Sequence, residues 1–128
     1  MSALVHTCYR VLDLDRSVDF YRKLGFEEAG RFPIREEAVN AFLALPGDDP
    51  RLELTCNIGR EEPYEIGTGY GHIALSIDDL DEALERLAGE GVEPEKPPYT
   101  IREGGSRLCF VRDPDGYRIE LIEVAPAG

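Results

Sequence analysis

Two histidines and two glutamates carry the chemistry that this sequence offers most directly. His6 and His72 are its only histidines and stand 66 residues apart. Glu53 and Glu120 stand 67 apart, each inside the same local pattern, Arg51-Leu52-Glu53-Leu54 and Arg118-Ile119-Glu120-Leu121. Two imidazoles and two carboxylates suit a divalent first-row metal. Coordination beyond four leaves the open positions that catalysis at a metal requires. A single His in an apolar strand is ordinarily structural and a lone Glu ordinarily solvated. Equivalence alters that reading, because nothing structural asks two copies to keep the same His and the same Glu. Cys8 follows His6 at strand spacing, but its equivalent is Ala74, so its thiol reads as packing.

The elements that must position these residues follow from an internal repeat. A shift of 66 places His6 on His72, Asp13 on Asp79, Leu14 on Leu80, Asp15 on Asp81, Gly25 on Gly91 and Glu27 on Glu93. Each copy opens with alternating apolar residues, Leu4 to Val11 and His72 to Ile77, predicting a strand. An acidic cap follows, Asp15 in the first copy and Asp79 or Asp81 in the second. Apolar residues at helical spacing come next: Val18, Tyr21 and Leu24, then Leu80, Ala83, Leu84 and Leu87. Gly25 and the Gly89/Gly91 pair predict left-handed stops. Short strands are expected near 26–32, 38–45 and 51–57, and again near 92–95, 106–112 and 117–124, with Asp113-Pro114-Asp115-Gly116 turning the last pair.

The fold class is therefore α+β, two tandem βαβββ modules. One helix cannot cover both faces of such a sheet, so two curved sheets are expected to pair over a shared cavity. The boundaries are about 1–60 and 70–128, joined by a connector at about 61–69 within one domain, 1–128. Strand alternation puts His6, Cys8 and Arg10 on one face and Tyr9 and Val11 on the other. The same rule separates Glu53, Thr55 and Asn57 from Leu52, Leu54 and Cys56. It separates His72 from Ile73 and Leu75, and Glu120 from Ile119 and Leu121. All four candidate ligands face away from the obvious core.

Composition narrows the partners. A formal net charge of −12 over 128 residues argues against nucleic acid and against an anionic membrane surface. Met1 to Arg10 is too polar for a signal peptide, and no apolar run has the length of a membrane span. Three cysteines, Cys8, Cys56 and Cys109, lack C-x-x-C spacing, which fits a reduced cytoplasmic protein. The only lysines are Lys23 and Lys96.

Longer motifs bring a resemblance. The run Asn57-x-Gly59-x4-Tyr64-x2-Gly67-x2-Tyr70-Gly71-His72-Ile73-Ala74-Leu75 resembles glyoxalase I (lactoylglutathione lyase) of the vicinal oxygen chelate superfamily. So does Asp113-Pro114-Asp115-Gly116-Tyr117-Arg118-Ile119-Glu120-Leu121-Ile122-Glu123. The opening from His6 through Tyr21 and the stretch Leu52-Glu53-Leu54-Thr55-x-Asn57 are similar too. The resemblance implies a homodimer with sites at the interface, His6 and Glu53 of one chain meeting His72 and Glu120 of the other at one divalent transition metal per site. The compact 33–50 region resembles the short bacterial type, implying nickel, with cobalt or zinc as alternatives. Glutathione is the implied co-substrate, with Arg10, Asn57 and Lys96 matching its binding residues. Arg102 and Arg107 flank a Gly104-Gly105 loop, where Glu103 stands in place of the Lys of several relatives.

The implied reaction isomerises the hemithioacetal of methylglyoxal and glutathione to S-D-lactoylglutathione. It does so by carboxylate-mediated proton transfer through a metal-stabilised ene-diolate, with Glu120 as base and Glu53 as its counterpart. Other metalloenzymes of the superfamily (an extradiol dioxygenase, an acyl-CoA epimerase, a thiol transferase) are alternatives, as is a non-catalytic drug-binding protein. The first three usually use three protein ligands, so a fourth, Glu53, speaks against them.

Overall fold

Both helices begin where an aspartate can accept a backbone N–H. In the computed structural model, which describes residues 1–124, Asp13 caps α1 (Leu14–Lys23) and Asp79 caps α2 (Leu80–Gly89). Each carboxylate accepts from the backbone N–H three residues on, Arg16 and Glu82 respectively, at 3.1 Å. The expected cap Asp15 lies instead in the first helical turn and pairs with Arg31 at 2.8 Å. Gly25 and Gly91 have φ of 106° and 84°, the left-handed stops expected, whereas Gly89 closes α2 as an ordinary helical residue.

The chain divides into two compact units, Met1–Glu65 and Ile66–Gly128, and the last four residues of the expected second module lie outside the described residues. The first unit contains β1 (Thr7–Arg10), α1, β2 (Glu27–Ile34), β3 (Ala38–Ala44) and β4 (Leu52–Asn57). Its sheet has the order β1-β4-β3-β2, with β1 parallel to β4 and the other pairs antiparallel. The second unit contains β5 (His72–Ile77), α2, β6 (Leu108–Arg112) and β7 (Arg118–Glu123), in sheet order β5-β7-β6. Again the first strand pairs parallel with the last, and β6 with β7 antiparallel.

One face of each sheet is the core. In the first unit Tyr9, Val11, Val18, Tyr21, Leu43, Leu52 and Leu54 are buried, and Tyr21 meets Phe20 and Phe26 edge-on at 5.2 and 5.7 Å. In the second, Leu80, Leu87, Cys109, Val111, Ile119 and Leu121 do the same work.

The strand expected at 92–95 is absent. Pro94, Pro97 and Pro98 remove backbone donors and fix φ, which disfavours a continuous ladder here. What remains is a strap along β6: Glu95 N–H donates to the Phe110 carbonyl at 2.8 Å, and Tyr99 bridges Leu108.

Candidate metal centre

The parallel pairing of first and last strand aligns the chemistry identically in both units. Cys8 lies opposite Glu53, and Ala74 opposite Glu120. Each histidine therefore sits two residues before the partner of its glutamate and on the same face. His6 Nε2 lies 2.9 Å from Glu53 Oε2, and His72 Nε2 lies 3.3 Å from Glu120 Oε1. The carboxylates are well covered, 13% and 10% exposed, while the imidazoles are 38% and 36% exposed. The structure thus brings together His6 with Glu53, and His72 with Glu120.

Each pair stands on an aromatic wall. Phe42, opposite Glu53, meets the His6 ring at 5.7 Å, and Phe110, opposite Glu120, meets His72 at 4.9 Å, both edge-on. The Arg118 guanidinium lies over the Phe110 ring at 3.9 Å and is held by Glu95 through two bonds of 2.8 and 3.0 Å. Arg118 holds the Glu95 carboxyl below the usual carboxylate range, with Arg112 adding to the effect. In the first unit Arg51, at the position of Arg118, binds Asp48 and donates to the Leu4 carbonyl at 2.7 Å, anchoring the segment that carries His6. Sequence reasoning overlooked Phe42 and Phe110; extending the repeat comparison to a shift of 68 superposes them.

The surroundings of the two carboxylates differ. Glu53 Oε1 accepts from Asn40 Nδ2 at 3.0 Å and Thr55 Oγ1 at 3.1 Å. Asn40 was also overlooked; its signal is a lone amide in the otherwise apolar run 38–44, where it is 8% exposed. At the matching register in the second unit stand Leu108 and Ile122. Glu120 instead lines an open cavity of about 510 Å³ with Ile101, Arg102, Gly104, Leu108 and Ile122.

The remaining candidates are spread more widely. Arg10 ends β1 opposite Thr55 and is exposed. Asn57 ends β4, where the Tyr64 hydroxyl donates to its Oδ1 at 2.7 Å. Glu53 and Asn57 are four residues apart on one strand face, a span of about 13 Å. The Lys96 ammonium rests over the Tyr99 ring at 4.1 Å, in a depression with Glu85 and Glu93 rather than in the cavity of Glu120. Arg102 lines that cavity, but Arg107 is bound to Asp81 at 2.8 Å. Cys8 is exposed rather than packed, its Sγ 3.4 Å from Thr55 Oγ1, because it shares the open ligand face. Cys109 is fully buried, and burial pushes its thiol up to about 11.

The donors present fit a transition metal. Two ligand atoms about 2.0–2.1 Å from one ion, at tetrahedral or octahedral angles, lie roughly 2.9–3.3 Å from each other. The two His–Glu pairs show 2.9 and 3.3 Å. Among the described residues no group of three or more His, Cys, Asp or Glu gathers to hold a metal, so each unit by itself supplies two donors.

Comparison with known proteins shows the family. The sequence profile of the glyoxalase/bleomycin resistance protein/dioxygenase superfamily matches residues 3–121. A lactoylglutathione lyase of Escherichia coli O157:H7 is 42% identical over 130 residues, covering 98% of this chain and 95% of the relative. The chain belongs to the glyoxalase I family of that superfamily. A lactoylglutathione lyase of Arabidopsis thaliana is 40% identical over 95% of the chain, which spans 44% of that longer protein. The crystal structure of glyoxalase I from Zea mays has a TM-score of 0.86 at 34% identity, covering 95% of this chain and 44% of the other. The chain thus spans less than half the length of these plant members of the family, and nearly all of the bacterial one. No helix among the described residues is long and apolar enough to cross a membrane.

Proposed function

We propose that this protein is a metal-dependent glyoxalase I, converting the hemithioacetal of methylglyoxal and glutathione to S-D-lactoylglutathione in the cytoplasm. The observation that carries the reading is the His–Glu pair, present twice in one register at the spacing two ligands of one ion share. Two chains in a homodimer would combine His6 and Glu53 of one with His72 and Glu120 of the other, completing a four-donor site at each interface. A divalent metal held there, nickel first and cobalt or zinc after it, would stabilise negative charge developing on two vicinal oxygens.

The rest of the reaction falls to the chain's own groups. Glu120 accepts the proton from the carbon next to the carbonyl, and the C–H electron pair becomes the new C=C bond. Returning that proton to the neighbouring carbon, while the hydroxyl proton passes from the first carbon's oxygen to the former carbonyl oxygen, leaves a C=O at the thioester carbon and a hydroxyl beside it, so the isomerisation balances without a further reactant. Glu120 is suited to this because it lines the open cavity. Arg10 and Asn57 would hold the polar groups of the tripeptide at the far end of the strand face, a reach of about 13 Å that an extended tripeptide covers. Lys96 would serve its glycine carboxylate, a role that rests on the resemblance alone.

The test is elemental analysis of the purified protein, with thioester formation assayed after reconstitution with nickel, cobalt and zinc in parallel. Glu120→Gln should lower kcat by on the order of 10²-fold or more with metal still bound. Full activity in that variant, or no thioester with any of the three metals, would overturn the assignment.

A further inference from the structure

We infer that Asn40 and Thr55 are positioning residues: they hold Glu53 by Oε1, so that it serves through Oε2 as a fixed metal donor and leaves proton carriage to Glu120. The inference rests on the donor reading proposed above for the two His–Glu pairs.

The two units provide an internal control. Their ligand strands have the same pairing, the same His position and the same aromatic wall, so backbone placement does not distinguish the carboxylates. The surroundings do. Glu53 Oε1 is taken by Asn40 Nδ2 at 3.0 Å and Thr55 Oγ1 at 3.1 Å, while Oε2 faces His6 at 2.9 Å. Both donors come from within the sheet, Asn40 on β3 directly opposite Thr55 on β4. A carboxylate accepts only, so the amide must present its nitrogen; its Oδ1 meets no donor among the described residues. Rotating Glu53 away from His6 therefore breaks two hydrogen bonds.

Leu108 and Ile122 occupy the corresponding places beside Glu120 and offer no donor. Among the described residues its one polar side-chain contact is His72, at 3.3 Å. A base that takes a proton from one carbon and returns it to the next must travel between donor position and substrate. The hydrogen bonds on Glu53 oppose that travel, and nothing comparable restrains Glu120.

The experiment transplants each environment onto the other unit. Asn40→Leu and Thr55→Val copy the apolar surroundings of Glu120 onto Glu53 and should each raise the nickel dissociation constant about 10–100-fold, measured by competition with a chromophoric chelator. The visible spectrum of the cobalt-substituted protein should shift in both, and Thr55→Ser, which keeps the hydroxyl, should restore spectrum and affinity. The reverse pair, Leu108→Asn with Ile122→Thr, should lower kcat at least about tenfold without weakening nickel binding, since it restrains the base and spares the ligand. Glu53→Gln separates the two ideas. If it binds nickel as tightly as the parent, the donor reading itself fails. If it loses nickel while Asn40→Leu and Thr55→Val keep parental affinity and spectra, the positioning role is overturned. Unchanged kcat in the folded reverse pair would overturn the division of labour.

Discussion

Glu53 and Glu120 occupy one register position in two copies of a unit, and what separates them is the polarity of two neighbours each. The residue that matters is therefore found only after the strands are paired. His6, His72, Glu53 and Glu120 can be read from the chain because a shift of 66 or 67 residues superposes them. The repeat does not find Asn40, since its equivalent Leu108 is apolar; only its being the lone amide of an apolar run marks it. Phe42 and Phe110 match only at a shift of 68, which loop lengths between strands conceal. The reading of Cys8 as packing failed for a related reason: a small thiol fits either face, and this one lies on the open side. A thiol titration checks the contrast among the cysteines. Cys109, fully buried and held at about 11, should resist alkylation at pH 8 in the native protein, so fewer than three thiols should react until denaturant is added. Reaction of all three at equal rates would show that the β6 core opens readily.

At the scale of elements, the two caps offer a matched pair of measurements. Asp13→Ala and Asp79→Ala should each cost about 1 kcal/mol in thermal or denaturant unfolding, whereas Asp15→Ala should cost less, being outside the cap. The sequence allowed Asp79 or Asp81 in the second copy, and the repeat could not decide between them, because it aligns Asp13 with Asp79 and Asp15 with Asp81 alike. The strap along β6 was less legible. Residues 92–95 have strand-like character, but the prolines around them leave one backbone bond and one bridge in place of a ladder. Glu95 lies in this strap, and its carboxyl is held below its ordinary range chiefly by the Arg118 guanidinium. A depressed folded value stabilises the protein above the unfolded pKa, and that contribution is lost as pH falls through the folded one. Glu95→Gln should thus lower stability by about 0.5–1 kcal/mol at neutral pH, and the gap from the parent should close in acid. A gap that persists unchanged at pH 3 would assign the effect to packing instead.

For the whole molecule, the arrangement of the two half-sites can be tested by complementation. His6→Ala and His72→Ala should each be inactive as a pure protein. If sites form between two chains, co-refolded mixtures of the two should recover about a quarter of parental activity, because half the dimers are mixed and one of their two sites is intact. If each site is built within one chain, mixing restores nothing. Most of the architecture was readable from the repeat because similar half-units leave few alternatives for element order: both sheets pair the first strand with the last, though the second has three strands where the first has four. The register also has an evolutionary consequence. A single ancestral half-unit that associated with itself would already display the His–Glu pair twice. With two copies in one chain, differences at only two matched places, 40 and 55 against 108 and 122, would let one copy specialise in holding and the other in moving.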